Sequence, residues 1–199
     1  MAKFINIPGN VYNKYTSKNL IVKLLMERFY GDFSSLLKRT DAKNVIEVGC
    51  GEGYITKYLK DNNNIDIIGI DLEESIIEKA KELHPDMRFF IGDIYQTNFP
   101  DNSFDCVIAS EVLEHLEEPI RAIDEMKRIS KGHCLFSVPN EPFFRMANIA
   151  RLKYLNRLGN TPGHIQNWTK HQFKTLLKRH FSKVIIKTSN VWTIALCKK

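Results

Sequence analysis

The amino-acid sequence predicts an α/β fold, a doubly wound, mainly parallel sheet of seven strands that ends in an antiparallel hairpin. Short, nearly continuous apolar runs alternate with amphipathic stretches, the pattern of strands covered on both faces by helices. The first of these runs leads into a glycine-rich turn that opens a helix. The last two runs follow one another with only a short turn between them, which pairs them as a hairpin at the sheet edge.

Taken in order, residues 17–38 form an amphipathic helix with Leu20, Leu24, Met26, Phe29 and Phe33 available for one buried face. Residues 44–49 read as a buried strand, 54–60 as a short helix and 65–71 as a second strand. A helix over 73–84 is broken by Pro85, and strands over 88–93 and 103–110 follow, the latter after the turn Pro100-Asp101-Asn102. A helix from Pro119 to Ser130 precedes a fifth strand over 133–138. Between Pro139 and Asn167 the rhythm is interrupted. Residues 143–158 there place Met146, Ile149, Leu152, Leu155 and Leu158 on one side, punctuated by Arg145, Arg151, Lys153 and Arg157, which predicts a basic amphipathic lid. A helix over 169–180 and strands over 183–188 and 191–197 complete the chain. At 199 residues, against about 150 per domain, this is a single domain over 1–199 with a helical arm (about 1–43) and a lid insertion (about 139–167).

Composition narrows the function. Hydrophobic residues at 43% and charged residues at 26% exclude disorder, collagen-like sequence and coiled coil. No membrane-length apolar run or signal-peptide pattern is found, so the expected compartment is cytoplasmic. Cys50, Cys106, Cys134 and Cys197 are scattered without a Cys-x-x-Cys pair, which favours buried reduced thiols over a zinc site. The net charge of +6 conceals an asymmetry: residues 1–120 hold 13 Lys/Arg and 20 Asp/Glu, whereas 121–199 hold 16 and 3. The basic half is expected to face an anionic partner.

In the stretch Glu47-Val48-Gly49-Cys50-Gly51-Glu52-Gly53, glycines permit a tight turn and close backbone approach to a nucleoside. The dinucleotide pattern would require glycine where Tyr54 stands, and a Gly-Lys-Ser/Thr phosphate loop is missing. Asp71 ends the second strand, 18 positions beyond Gly53, where a carboxylate can bridge ribose hydroxyls. Asp93 ends the third. In an open α/β sheet the turn, Asp71, Asp93 and Ser110-Glu111 would converge on one crevice at the C-terminal strand edge.

Together, Glu-Val-Gly-Cys-Gly-Glu-Gly, Gly-Ile-Asp-Leu, Gly-Asp-Ile and Phe-Asp-Cys-Val-Ile-Ala-Ser-Glu-Val-Leu-Glu-His-Leu resemble, in order, the motifs of the class I S-adenosylmethionine-dependent methyltransferases, over about residues 40–140. The resemblance implies a Rossmann-like sheet, S-adenosyl-L-methionine as cofactor and methyl transfer as activity, in a small branch similar to ubiquinone-pathway O-methyltransferases. It implies that Glu47, Gly49, Cys50, Gly51 and Gly53 form the cofactor turn, with Gly49-Cys50-Gly51 passing under the amino-acid part. Asp71 would hold the ribose, Leu72 would line the adenine, and Asp93 with Ile94 would contact its edge. Ser110 and Glu111 would close the crevice, and Tyr12 and Tyr15 resemble the aromatics that cover the cofactor in this family.

Methyl transfer chiefly needs alignment, water exclusion and, for a protonated acceptor, a base. The Asn/Asp-Pro-Pro-aromatic motif of nucleobase amino-methylation is replaced here by Ser110-Glu111-Val112-Leu113, which disfavours that reaction. Glu111, Glu114 and His115 form Glu-x-x-Glu-His, expected to share one face of a helical turn and to position a base or a divalent metal. His164, in Gly163-His164-Ile165-Gln166-Asn167-Trp168-Thr169, would complete the set. The pattern resembles small-RNA 3′-end 2′-O-methyltransferases, in which a similar set binds magnesium. It is also similar to the Glu-x-x-Glu-His of ubiquinone-pathway O-methyltransferases; the alternative to a metal or base is that Glu114 and His115 cap the next helix and His164 only shapes the pocket. His115, His164 and Glu111 stand as the candidate catalytic residues, with no metal assigned. The expected acceptor is a small-molecule or lipid-linked, anionic compound near the basic C-terminal half, with peripheral membrane contact. RNA is the second choice and a non-catalytic cofactor-binding protein the third.

Overall fold

A computed structural model describes residues 19–199, so Tyr12 and Tyr15 lie outside the described residues. The strands are β1 (Asn44–Val48), β2 (Asp66–Asp71), β3 (Arg88–Ile91), β4 (Phe104–Ser110), β5 (Ser130–Pro139), β6 (Lys183–Ser189) and β7 (Trp192–Lys198). They form one seven-stranded sheet in the order β3-β2-β1-β4-β5-β7-β6. The strands from β1 to β5 pair in parallel, and β7 runs antiparallel to both β5 and β6. The expected closing hairpin is therefore present. The chain builds outward from β1 in one direction and from β4 in the other, and a crevice opens where the order reverses.

Helices α1 (Leu20–Lys38), α2 (Tyr54–Asn62) and α3 (Glu74–Leu83) pack with one face of the sheet, and α4 (Pro119–Ile129) and α6 (Lys170–Leu177) with the other. Strand alternation divides the core: on β4, Cys106 and Ile108 join the first cluster while Val107 and Ala109 join the second. Phe29, Phe33 and Leu59 fill the first layer, and Ile123, Met126 and Phe173 the second, all fully buried.

Three expectations need correction. In α1 the buried apolar side chains are Met26, Phe29, Phe33, Leu36 and Leu37, whereas Leu20 and Leu24 are 69% and 56% exposed. The helix starts beyond the sheet, capped by the Asn19 side chain, and its first turns border the crevice instead of packing on strands. Strand β3 ends at Ile91, two residues earlier than expected, because Asp93 enters a turn in which its Oδ1 accepts from Tyr95 N at 2.8 Å. The lid is not one continuous helix. Helix α5 (Phe143–Ala150) stops, Leu152, Tyr154 and Leu158 take left-handed backbone conformations, and only a 3-10 turn, Leu155–Arg157, follows. The buried Asn148 side chain causes this by donating from Nδ2 to Gly159 O at 2.9 Å, which folds the chain back on α5.

Candidate active site

The crevice is a cavity of about 900 Å³ at the C-terminal ends of the central strands, roofed by the first turns of α1 and the inner side of the 143–161 segment. Its floor is the glycine turn. Gly49 N and Cys50 N both donate to Ile70 O, at 2.8 and 2.9 Å, which ties β1 to β2 as the chain bends. At Gly49 the backbone is left-handed, φ +73°, and a Cβ there would lie 2.6 Å from Val112 Cγ2. Gly51 has φ +53° and faces open space in the cavity, so a ligand can approach the bare backbone there. The other member of the turn, Gly53, is the N-cap of α2 and lies against Phe89, outside the cavity lining.

Two carboxylates stand beneath this turn. Asp71 Oδ2 accepts from Gly51 N at 2.9 Å and Oδ1 from Glu73 N at 3.3 Å, so the second strand's acid holds the open part of the loop. Burial raises its pKa against the effect of those donors. Glu47 is buried and accepts from Thr56 Oγ1; burial pushes its pKa up to about 8, the Asp71 charge adds to the rise and the Thr56 bond opposes it. Burial likewise pushes the Cys50 thiol well up, and Glu47 and Asp71 add to it. Leu72, half exposed, and buried Ile94 line the same cavity. Asp93 does not line it, because its carboxylate closes the turn described above.

At the end of β4, Ser110 Oγ lies 2.9 Å from Ser137 Oγ on β5. Glu111 then takes φ +58°, a conformation that costs a residue with a Cβ about 1–2 kcal/mol. Four contacts hold it there: its N–H donates to Ser137 O at 3.1 Å and Ser137 Oγ at 3.2 Å, Oε2 accepts from Trp192 Nε1 at 2.6 Å and Oε1 accepts from Ser137 Oγ at 3.4 Å. This left-handed residue overturns the expected helical turn through Glu-x-x-Glu-His. The 3-10 turn Leu113–His115 begins only after it, and Glu111 faces Trp192 instead of joining Glu114 and His115.

Glu114, His115 and His164 do come together, with one ligand atom from each within 4.8 Å of the others. Glu114 O accepts from Ile165 N and Gln166 N, both at 3.0 Å, and Gln166 Nε2 donates to Leu116 O at 3.1 Å. These bonds fasten two segments about 50 residues apart, which seats His164 4.8 Å, centroid to centroid, from His115. His115 Nδ1 lies 3.0 Å from Gly163 O. A carbonyl only accepts, so Nδ1 carries the proton and the neutral ring's lone pair is on Nε2. Phe144 lies 5.7 Å from His164 between ring centroids.

Both histidines, Glu111 and Ser110 therefore line the cavity with Glu47, Gly49, Cys50, Gly51 and Asp71. The sequence reading missed Trp192 and Asn148. Trp192 reaches Glu111 only through the antiparallel insertion of β7 beside β5, and Asn148 carries no motif. The wall between the histidines and α1 is apolar, with Val22, Leu25, Met26, Phe144, Ala147 and Val191, and it has Arg151 and Lys153 at its edge.

Residues 46–137 match the family described as "Methyltransferase domain". The chain is 36% identical over 110 residues, 48% of its own length and 38% of the relative's, to an uncharacterised methyltransferase of Schizosaccharomyces pombe. It is 30% identical over 117 residues, 58% and 49% of the two lengths, to the demethylmenaquinone methyltransferase of Renibacterium salmoninarum. The chain spans less than half the length of these curated relatives. Its fold is similar, at TM-score 0.65 and 16% identity over 92% of this chain and 89% of the other, to the crystal structure of magnesium protoporphyrin IX methyltransferase from Synechocystis PCC 6803 with bound SAH.

Proposed function

We propose that the chain, whose residues 46–137 match the methyltransferase domain family, is a class I S-adenosylmethionine-dependent methyltransferase that O-methylates a small or lipid-linked, anionic acceptor. The observation that carries the acceptor reading is the continuity of the cavity, which runs from the Gly51–Asp71 floor past His115 and His164 to an apolar wall edged by Arg151 and Lys153. An acceptor seated on that wall has a hydrophobic body, and its anionic group meets the two cations. The demethylmenaquinone methyltransferase among its relatives, named for a quinone, supports such a body.

The cofactor, when bound, supplies an electrophilic methyl group on a sulfonium. Open backbone at Gly51 and the carboxylate of Asp71 suit its amino-acid and ribose parts, the side chain of Leu72 suits the base, and Ile94 lines the same end. His115 Nε2 takes up the proton of an acceptor hydroxyl, because Gly163 O fixes the ring's tautomer and orientation. His164, held edge-on against it, shapes the acceptor's approach. The wall of α1 and the 143–161 segment excludes water, which an in-line displacement requires.

The test is a transfer assay with methyl-labelled cofactor against lipid and aqueous extracts. The proposal expects label in an acidic, organic-soluble product as a methyl ether. Label in RNA alone would instead favour the second reading, a 2′-O-transfer assisted by a divalent ion at Glu114, His115 and His164. One carboxylate and two imidazoles suit a transition metal ion better than magnesium, which prefers oxygen. On that reading EDTA abolishes turnover and manganese restores it.

A further inference from the structure

The outer surface of the 143–158 segment has no role in the cavity chemistry. On α5, Phe143, Met146 and Ile149, spaced by three residues, are 57%, 58% and 41% exposed. In the loop that follows, Leu152, Leu155 and Leu158 are 79%, 52% and 74% exposed. This presentation is built into the segment. Leu152 and Leu158 are in left-handed conformations, held by Leu152 N to Ile149 O at 2.8 Å and Leu158 N to Leu155 O at 3.1 Å, and buried Asn148 pins the loop through Gly159 O. Exposed Arg157 stands between Leu155 and Leu158, with Arg151 and Lys153 at the neighbouring cavity lining, and the sequence from 142 to 199 contains no acidic residue.

We propose that this surface docks on an anionic lipid bilayer, its six exposed apolar side chains entering the acyl boundary while exposed Arg157 and the acid-free basic stretch around it meet lipid phosphates. Charge complementarity selects the occupant. A second copy of the chain would bring the same cations face to face in a two-fold pairing. An RNA would need aromatic platforms. The exposed side chains here are mainly aliphatic, while Phe144 packs on His164 and Trp192, and Trp168 on Phe173. The opposite side of the same segment, through Ala147, Ala150 and Tyr154, lines the cavity, so docking brings its mouth to the membrane. A lipid-linked acceptor would enter from there. In this the inference extends the acceptor reading above, but docking is measured without turnover.

The test is co-sedimentation of the full chain with vesicles of phosphatidylcholine alone or mixed with phosphatidylglycerol, across a salt series. The expected result is binding to the mixed vesicles that weakens with salt and is much weaker on phosphatidylcholine. Combined Leu152→Ser, Leu155→Ser and Leu158→Ser should lower the partition by about a hundredfold, and Arg157→Glu by at least about fivefold. None of these four residues lines the cavity, so both variants should keep wild-type affinity for S-adenosylhomocysteine, which also verifies that they fold. Equal binding of the leucine variant, no binding of the wild type to mixed vesicles, or leucine-dependent self-association without vesicle binding would each overturn the proposal. So would tight RNA-oligonucleotide binding that excludes vesicles. Loss of homocysteine-ligand binding with vesicle binding intact would sink the methyltransferase reading and leave the docking standing.

Discussion

Glu47 is a carboxyl whose protonation is tied to folding. Its pKa of about 8 in the folded chain lies above the ordinary 4.5, so the folded state retains a proton that the unfolded chain releases. Its stabilising contribution is complete below about pH 4.5 and is lost as pH rises through about 8. Asp71, also raised, acts in the same sense. The apo protein should therefore melt at lower temperature at pH 8 than at pH 5, and Glu47→Gln should remove most of that difference; parallel thermal melts of both proteins decide it. Asp71→Ala should weaken S-adenosylhomocysteine binding at least tenfold, since a hydrogen bond to a charged group contributes about 1.5–3 kcal/mol, and unchanged affinity by calorimetry would refute the pocket assignment. His115→Ala should lower turnover by about 10²–10⁴ with cofactor affinity unchanged. His164→Ala should chiefly raise the acceptor's KM, and this split separates the base from its neighbour. The motif residues Gly49, Gly51 and Asp71 were legible because each does a local job that its residue type reveals. Glu111 was misread because its conformation depends on Ser137 and Trp192, which lie on other strands.

Among the elements, strands buried on both faces are the easiest to recognise, and β1, β2 and β4 occur where continuous apolar runs predict them. Helical periodicity misled in two places. It continued into Leu20 and Leu24, where α1 has passed beyond the sheet, and through 143–158, where Asn148 and Gly159 fold the chain back. Periodicity registers which residues are apolar, but not where a distant hydrogen bond ends a helix. That bond makes Asn148 a positioning residue for the cavity wall. Asn148→Ala should expose the 150–160 stretch to proteolysis and lower acceptor turnover while leaving S-adenosylhomocysteine affinity intact, which limited trypsin digestion and calorimetry together would check. Equal protease resistance in the variant would show that the lid is held otherwise.

At the level of the whole molecule, the two faces of the sheet carry separate clusters of buried residues among the described residues. Phe33 on one face and Phe173 on the other are both fully buried. Truncation of either to alanine should cost about 3–5 kcal/mol in urea unfolding, and the double variant should show the sum to within about 0.5 kcal/mol. The charge asymmetry visible in the sequence becomes spatial, because the acidic half supplies the cavity's floor while the basic C-terminal half supplies the 143–161 part of its roof. None of the described helices is long and apolar enough to cross a membrane, so contact with a bilayer would be made by surface side chains. The four free thiols are all buried and span both cores, with Cys106 on β4, Cys134 on β5 and Cys197 on β7, while Cys50 lies in the glycine turn. Burial raises all four pKa values, so almost no thiolate is available to an alkylating reagent while the sheet is closed. Labelling kinetics thereby become a built-in record of opening: joint modification of the three strand cysteines times global unfolding, and earlier modification of Cys50 alone times local breathing of the cavity floor.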